Sequence, residues 1–237
     1  MEATTLILGA GAAGLFCAGR CGPGAVVVDH AARPAEKVRI SGGGRCNFTN
    51  RHARPDAFLS ANRHFAKSAL ARFTAADFVA LVEAHRIPWH EKTLGQLFCD
   101  GTSRDVVRLL LDEAERNGAT VLLSTAVRDA SHDGDRFVVE VEREGRRLTI
   151  RARHLVLATG GRSIPKMGAT GLAYDLARRF GLAVTGTRPA LVPFTFGDRF
   201  AALAGVSVPV RARARRGPAF DEAMLLTHRG LSGPAML

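Results

Sequence analysis

The stretch TTLILGAGAAGLFCAGRCGPGAVVVD, Thr4 to Asp29, changes character three times. Thr4 to Leu8 is short and apolar, the composition of a buried strand. Gly9-Ala10-Gly11-Ala12-Ala13-Gly14 follows and opens a helix of small residues that runs to about Arg20. Gly22-Pro23-Gly24 ends the helix, and Ala25 to Asp29 reads as a second buried strand. Strand, turn, helix and strand in this order form the opening of a βαβ unit. A G-x-G-x-x-G pattern carries little information alone; after a strand, before a helix and with an acid 20 residues past Gly9, it predicts dinucleotide binding. Gly9, Gly11 and Gly14, with Ala12 and Ala13 between them, allow the backbone to approach a pyrophosphate. The helix N-terminus adds N–H donors and a partial positive charge. Asp29 is placed to accept hydrogen bonds from ribose hydroxyls and would repel a ribose phosphate.

A second glycine tract lies in KVRISGGGRCNFTN, Lys37 to Asn50. Three successive glycines cost about 0.5–1 kcal/mol each relative to alanine in a regular element. A flexible loop or a backbone pressed against a ligand would account for them, and the local sequence fits either.

Further along, the chain returns to regular structure. Thr74 is an N-cap with Asp77 three residues on, and Phe78, Leu81 and Val82 mark the apolar face of a helix. SRDVVRLLLDEAERNG predicts a helix from near Ser103 to Gly118, and Thr120 to Leu123 a buried strand. Thr125–Ala130, Arg136–Glu142 and Arg147–Ala152 alternate in polarity and are separated by Asp133-Gly134-Asp135 and Glu144-Gly145, which predicts an antiparallel meander. His154 to Ala158 is then an apolar strand ending at Thr159-Gly160-Gly161, and a helix follows from about Gly171 to Phe180, stopped by Gly181. From Pro189 the chain becomes strands punctuated by proline, so residues 1–188 and 189–237 are the expected domains.

Composition narrows the function. With 46% hydrophobic residues in 237, the chain can build a sizeable core and is not globally disordered. The net charge of +11 admits nucleic acid, an acidic membrane or an anionic cofactor as partner. The basic residues are scattered, and their densest run, RARARR at 211–216, alternates like the exposed face of a strand. Nucleic acid is therefore not the expected partner. Cys17, Cys21, Cys46 and Cys99 form no C-x-x-C pair and no zinc spacing, so no metal is expected, and the pattern suits a reducing cytoplasm. Cys17 and Cys21 are one helical turn apart and read as small apolar residues. His85 and His90 share no helical face and read as ordinary histidines. Glu2 and the lack of a preceding Lys or Arg argue against a signal peptide, and no apolar run approaches transmembrane length.

The Rossmann turn with its acid, the ISGGGRCNFTN loop, and LATGG with PKMGATG nearby together resemble one group of flavoproteins. These are the NAD(P)/FAD-dependent oxidoreductases of the aminoacetone oxidase-like and bile-acid dehydro-reductase-like kind. The resemblance implies an α/β fold: a Rossmann-like FAD-binding domain with a parallel sheet and an antiparallel meander, followed by the start of an inserted, mainly β second domain. It implies FAD as cofactor, with NAD(P)H or another donor supplying electrons and a small organic molecule or oxygen receiving them. By the same resemblance Ser41, Gly42, Gly43 and Gly44 bring backbone N–H groups to the flavin, while Arg45, Cys46 and Asn47 supply side-chain contacts. Such donors favour an anionic reduced flavin. Lys37 supports the pyrophosphate or the loop, Val127 offers backbone atoms to the adenine, and Thr159-Gly160 makes a second contact. No catalytic acid or base is assigned.

The chain departs from the pattern at Asp29, where the family tends to have Glu, at Cys99, where proline is expected, and at Gly171-Leu-Ala-Tyr174, where Asp-Gly is usual. It also stops at THRGLSGPAML, mid-way through the inserted domain, as a truncated chain would. Two rival readings stand beside the oxidoreductase: an FAD-binding protein without turnover, and an FAD-containing RNA-modification protein.

Overall fold

The computed structural model describes residues 1–215 and 217–237. Arg216, the last residue of the basic run, lies outside the described residues. The chain forms two compact units, Met1–Val184 and Thr185–Leu237.

The first unit opens with β1 (Glu2–Leu8), α1 (Ala12–Ala18) and β2 (Ala25–Val28). Next come α2 (Glu36–Ile40), a 3-10 turn over Ser41–Gly44, and β3 (Asn47–Asn50). Helices α3 (Lys67–Arg72) and α4 (Ala75–Ala84) lead to β4 (Trp89–Glu91) and β5 (Gln96–Cys99). Then follow α5 (Ser103–Arg116), β6 (Thr120–Leu122), β7 (Thr125–His132), β8 (Phe137–Arg143), β9 (Arg146–Leu157) and α6 (Leu172–Arg179). The main sheet has the order β6-β2-β1-β9-β8-β7. Its first four strands are parallel, and β9, β8 and β7 form the antiparallel meander. The α/β class read from the sequence holds.

Strand alternation divides the core between the two faces of this sheet. Ile7 and Val27 point to the side of α1 and α5, where they meet Leu15, Val106, Val107 and Leu110. Leu6, Leu8, Val26 and Val28 point the other way, onto Val139, Val141, Ile150 and Leu176. Helix α5 is pinned at its start by a reciprocal box between Thr102 and Asp105, one residue before the start expected at Ser103. The Ser103 hydroxyl is free of that role and donates to the Arg39 carbonyl at 2.6 Å, tying α5 to α2. The box at Thr74 and Asp77 forms as expected.

The meander differs from its expected form. Arg147–Ala152 and His154–Ala158 are not two strands but one, β9. Its first half pairs antiparallel with β8 as far as Ala152, and Arg151 to Leu157 pair parallel with β1. Arg153, between the two expected strands, is exposed and continues an unbroken backbone.

The second unit contains β10 (Phe194–Thr195), β11 (Ser207–Arg213), β12 (Ala219–Thr227) and β13 (Gly230–Ser232), antiparallel in the order β10-β13-β12-β11. Of the first proline-punctuated stretch after Pro189, only Phe194–Thr195 forms a strand. Arg211 and Arg213 lie on the exposed face of β11, as their alternation with alanine predicts, and Arg211 forms a two-pronged ion pair with Asp221 at 2.7 and 2.8 Å.

The first turn holds the chain at close quarters. A Cβ on Gly14 would overlap the Gly9 carbonyl, whereas one on Gly11 would meet nothing within 4 Å. Gly14→Ala is therefore expected to destabilise the protein by about 3 kcal/mol or more, and Gly11→Ala to change stability by less than about 0.5 kcal/mol. Urea midpoints of the two variants check the contrast; equal midpoints would contradict the packing.

Candidate functional site

The carboxyl ends of β1, β2 and β9 converge on one groove in the first unit. The Gly9 amide donates to the Val28 carbonyl at 2.8 Å, and the Ala158 amide to the Leu8 carbonyl at 2.8 Å, so the three strand ends are locked side by side. Gly9 adopts φ +113°, and a Cβ there would collide with Ala158. Three neighbouring chambers with shared lining residues lie along this floor.

The middle chamber, of about 260 Å³, is bordered by Gly9, Gly11, Ala12, Ala13, Asp29, Lys37, Thr159 and Gly160. On one side it continues, past Gly9, Asp29 and Thr159, into a chamber of about 230 Å³ that reaches Val127. On the other it continues, past Ala12, Ala13, Lys37 and Val38, into a larger apolar chamber of about 570 Å³. Ser41, Cys46 and Asn47 stand at the wall of this third chamber, beside Phe16, Phe48, Phe73 and Phe78. The residues singled out at Gly9, in the second glycine tract and at Val127 thus border three neighbouring chambers with shared lining residues, although they lie far apart in the chain.

Several details bear on what the groove can hold. Thr159 Oγ1 is buried and has no hydrogen-bond partner. An orphaned hydroxyl of this kind calls for a partner that enters the groove. Gly11, at the N-cap of α1, leaves open space where a side chain would stand. Lys37 Nζ donates to Ser163 Oγ at 2.9 Å and to the Gly161 carbonyl at 3.3 Å, which puts a cation where the middle and apolar chambers meet.

Other residues expected to contact the cofactor also make bonds or close packing within the scaffold. Both oxygens of Asp29 already accept backbone N–H bonds, Oδ2 from Ala10 at 2.7 Å and Oδ1 from Ala31 at 2.8 Å. The carboxylate therefore clamps the glycine turn to the end of β2, and only its remaining lone pairs face the groove. Gly14 is buried against Gly9 and does not border a chamber. Gly42, Gly43, Gly44 and Arg45 are not among the residues that border the three chambers. Their φ values, +57°, +66° and +88° for the glycines, show why glycine recurs: three successive left-handed residues turn the chain within one step. Gly42 is held tightest, because a Cβ would come within 2.7 Å of Phe98 and of the Asn47 amide. Arg45 contributes its carbonyl, which accepts the Cys99 amide at 3.0 Å and fastens the turn to β5.

Cys46 closes the turn, itself at φ +52°, and is buried beside Cys99. Burial pushes the Cys46 thiol up, and Ser41 opposes the rise with a hydrogen bond. Burial, with the charges of Cys46, Asp105 and Asp100 adding to it, pushes Cys99 up to about 12. Both are neutral thiols near pH 7. Cys17 and Cys21 stand 3.5 Å apart, sulfur to sulfur, and His85 is packed against Glu113 at 3.0 Å, so neither pair enters the groove. Among the described residues no cluster of His, Cys, Asp and Glu could hold a metal ion, and no helix is long and apolar enough to cross a membrane.

The sequence reading missed the aromatic lining. Phe16 had a signal, because it follows Ala12 and Ala13 by one helical turn on α1. Phe48, Phe73 and Phe78 had none, since they reach the chamber from three different elements.

Comparison with known proteins fits this geometry. A family model described as the HI0933-like protein Rossmann domain matches residues 3–224. A ribosomal RNA dihydrouridine synthase of Escherichia coli K12 is 47% identical over 239 residues, covering 98% of this chain and 59% of that protein. A 3-dehydro-bile acid delta(4,6)-reductase of Clostridium scindens is 26% identical over 205 residues, covering 84% of this chain and 49% of that protein. The chain thus spans about three-fifths, or less, of the length of these relatives. Among solved structures, the 3-ketosteroid-delta4-(5alpha)-dehydrogenase of Rhodococcus jostii RHA1 shares the fold. Its TM-score is 0.52 and its identity 16%, covering 68% of this chain and 46% of that one.

The buried thiols generate a pH dependence. In the unfolded chain a cysteine loses its proton near its ordinary value of 9.0, whereas Cys99 in the fold holds its proton to about 12. The stability that Cys99 contributes is complete below pH 9 and is lost as the pH rises toward 12. Urea midpoints measured across that range should fall for the wild type and fall less for Cys99→Ala; parallel curves would contradict the assignment.

Proposed function

The chain belongs to the HI0933-like Rossmann family, and from that premise we propose that it forms the FAD-holding part of a flavoenzyme that reduces uridine to dihydrouridine in ribosomal RNA. The observation that supports the FAD reading is the row of neighbouring chambers bordered by the first glycine turn, Thr159 and the Ser41–Asn47 wall. Its chambers suit the parts of FAD in order. The chamber at Val127 takes the adenosine, and the one over Gly11 and the start of α1 takes the pyrophosphate. The apolar chamber beside Cys46 and Asn47 takes the flavin. The unpaired Thr159 hydroxyl and the empty space at Gly11 fit a ligand of this shape.

The substrate reading rests on the 47% identity to a protein named for that reaction. It puts ribosomal RNA in place of the small organic acceptor expected from the sequence. Reduced FAD supplies a hydride when bound; with one proton, the hydride saturates the C5–C6 bond of a uracil ring. NADH or NADPH is the proposed source of the electrons.

The chain's own residues bind, orient and exclude water. The amides at the start of α1 and the Lys37 ammonium offset the pyrophosphate charge. Lys37 is already fixed by Ser163 and Gly161, so little side-chain entropy is lost when the anion enters. Phe16, Phe48, Phe73 and Phe78 keep water from the apolar chamber. The neutral Cys46 thiol packs at its wall without placing an anion there.

Two measurements test the proposal. The purified protein should carry an FAD spectrum, and Gly11→Val and Thr159→Ala should each lower FAD content while the circular dichroism stays native. The protein should also convert uridine to dihydrouridine in deproteinised ribosomal RNA when given NADH or NADPH, read by mass spectrometry of the nucleosides. A colourless folded protein would overturn the FAD assignment. A yellow protein that nicotinamide reduces but that leaves the RNA unchanged would overturn the substrate.

A further inference from the structure

The segment from Arg51 to Arg72 runs from the end of β3 through α3; it leaves the wall of the apolar chamber at Ala53 and returns to it at Leu70. It carries five Arg or Lys residues and one acid, Asp56. Its large apolar side chains face outward: Phe58 is 51%, Leu59 95% and Phe65 78% exposed. The tip has a defined shape. The Ser60 hydroxyl accepts the Asn62 amide at 3.0 Å, and Asn62 Oδ1 accepts the His64 amide at 3.0 Å. Arg51 and Arg54 are neutralised by Glu91 and Asp56. Among the described residues, Arg63, Lys67 and Arg72 have no carboxylate partner.

We infer that this segment is a docking strip for single-stranded RNA at the mouth of the flavin chamber, with Phe65 as the base-stacking platform and Arg63 and Lys67 as the phosphate-binding cations. The inference rests on the ribosomal RNA reading above and deepens it by naming the surface. Unpaired cations interleaved with exposed aromatic rings match the two demands of a single strand, charge along its backbone and flat faces for its bases. A partner protein could account for the exposed Phe58, Leu59 and Phe65. It would not by itself call for unpaired cations on both sides of Phe65. The position adds a third argument. A strand held here lies beside the chamber where a uracil ring must arrive, and a base chosen for reaction has to leave its stack to enter it.

The test measures binding of an oligouridylate and of deproteinised ribosomal RNA to the protein with FAD bound. Phe65→Ala should weaken oligouridylate binding roughly ten-fold, and Phe65→Tyr should retain it. Arg63→Ala with Lys67→Ala should flatten the dependence of log affinity on log salt by about 1.4, or about 0.7 for each phosphate that is no longer neutralised. All three proteins should keep their FAD, since none of these residues borders the groove. RNA binding left unchanged by the substitutions would overturn the strip and leave the proposed reaction standing. So would variants that change only self-association. A wild-type protein with full FAD content that binds neither RNA would overturn both.

Discussion

The arrangement depends on backbone-to-backbone contact at the end of β1. Gly9 touches the end of β9, and Gly14 rests on the Gly9 carbonyl. Asp29 holds the amides of Ala10 and Ala31 together across the turn. No side chain can enter this cluster, so α1 starts just after the strand end, and Ala12 and Ala13 of its first turn border the chambers. The groove exists because the sheet is parallel there: three carboxyl ends meet on one side, and every loop that leaves them can contribute to the same site.

The second glycine tract solves a different problem. It makes a wall by turning the chain through successive left-handed residues, and the wall is braced from behind by Phe98 and by the Arg45–Cys99 bond. Of the residues in this tract, Ser41, Cys46 and Asn47 reach the chamber, while the glycines and Arg45 shape the turn that presents them. The distinction between contact and support matters for reading such motifs. The most conspicuous residues of a loop are often the ones that make its path possible.

Much of this was legible in the sequence, because the deciding signals are local. The order of strand, glycine turn and strand fixes the parallel start. Thr74 with Asp77 marks one helix start, and Gly118 and Gly181, both left-handed, mark two ends. What escaped was non-local. Arg147–Ala152 and His154–Ala158 read as two strands because the sequence does not show that β8 and β1 pair with the two halves of a single strand. Asp29 was read as a ribose acceptor, and the bonds it accepts from the Ala10 and Ala31 amides become visible only with the turn in place. The aromatic lining is assembled from α1, β3, α4 and the residue after α3, and no window of sequence contains it.

The unbroken course of β9 has a mechanical consequence. One backbone is both the inner rail of the parallel half and the outer rail of the meander, so force or thermal fraying on the meander is transmitted to the floor under the nucleotide groove within a single rigid ribbon. The tight reversal at Glu144–Gly145 is the natural relief point. A chain opened there would leave the ribbon seated against β1, and β8 would then be held to it by the Phe137–Ala152 to Arg143–Arg146 ladder alone, with no covalent link at that end.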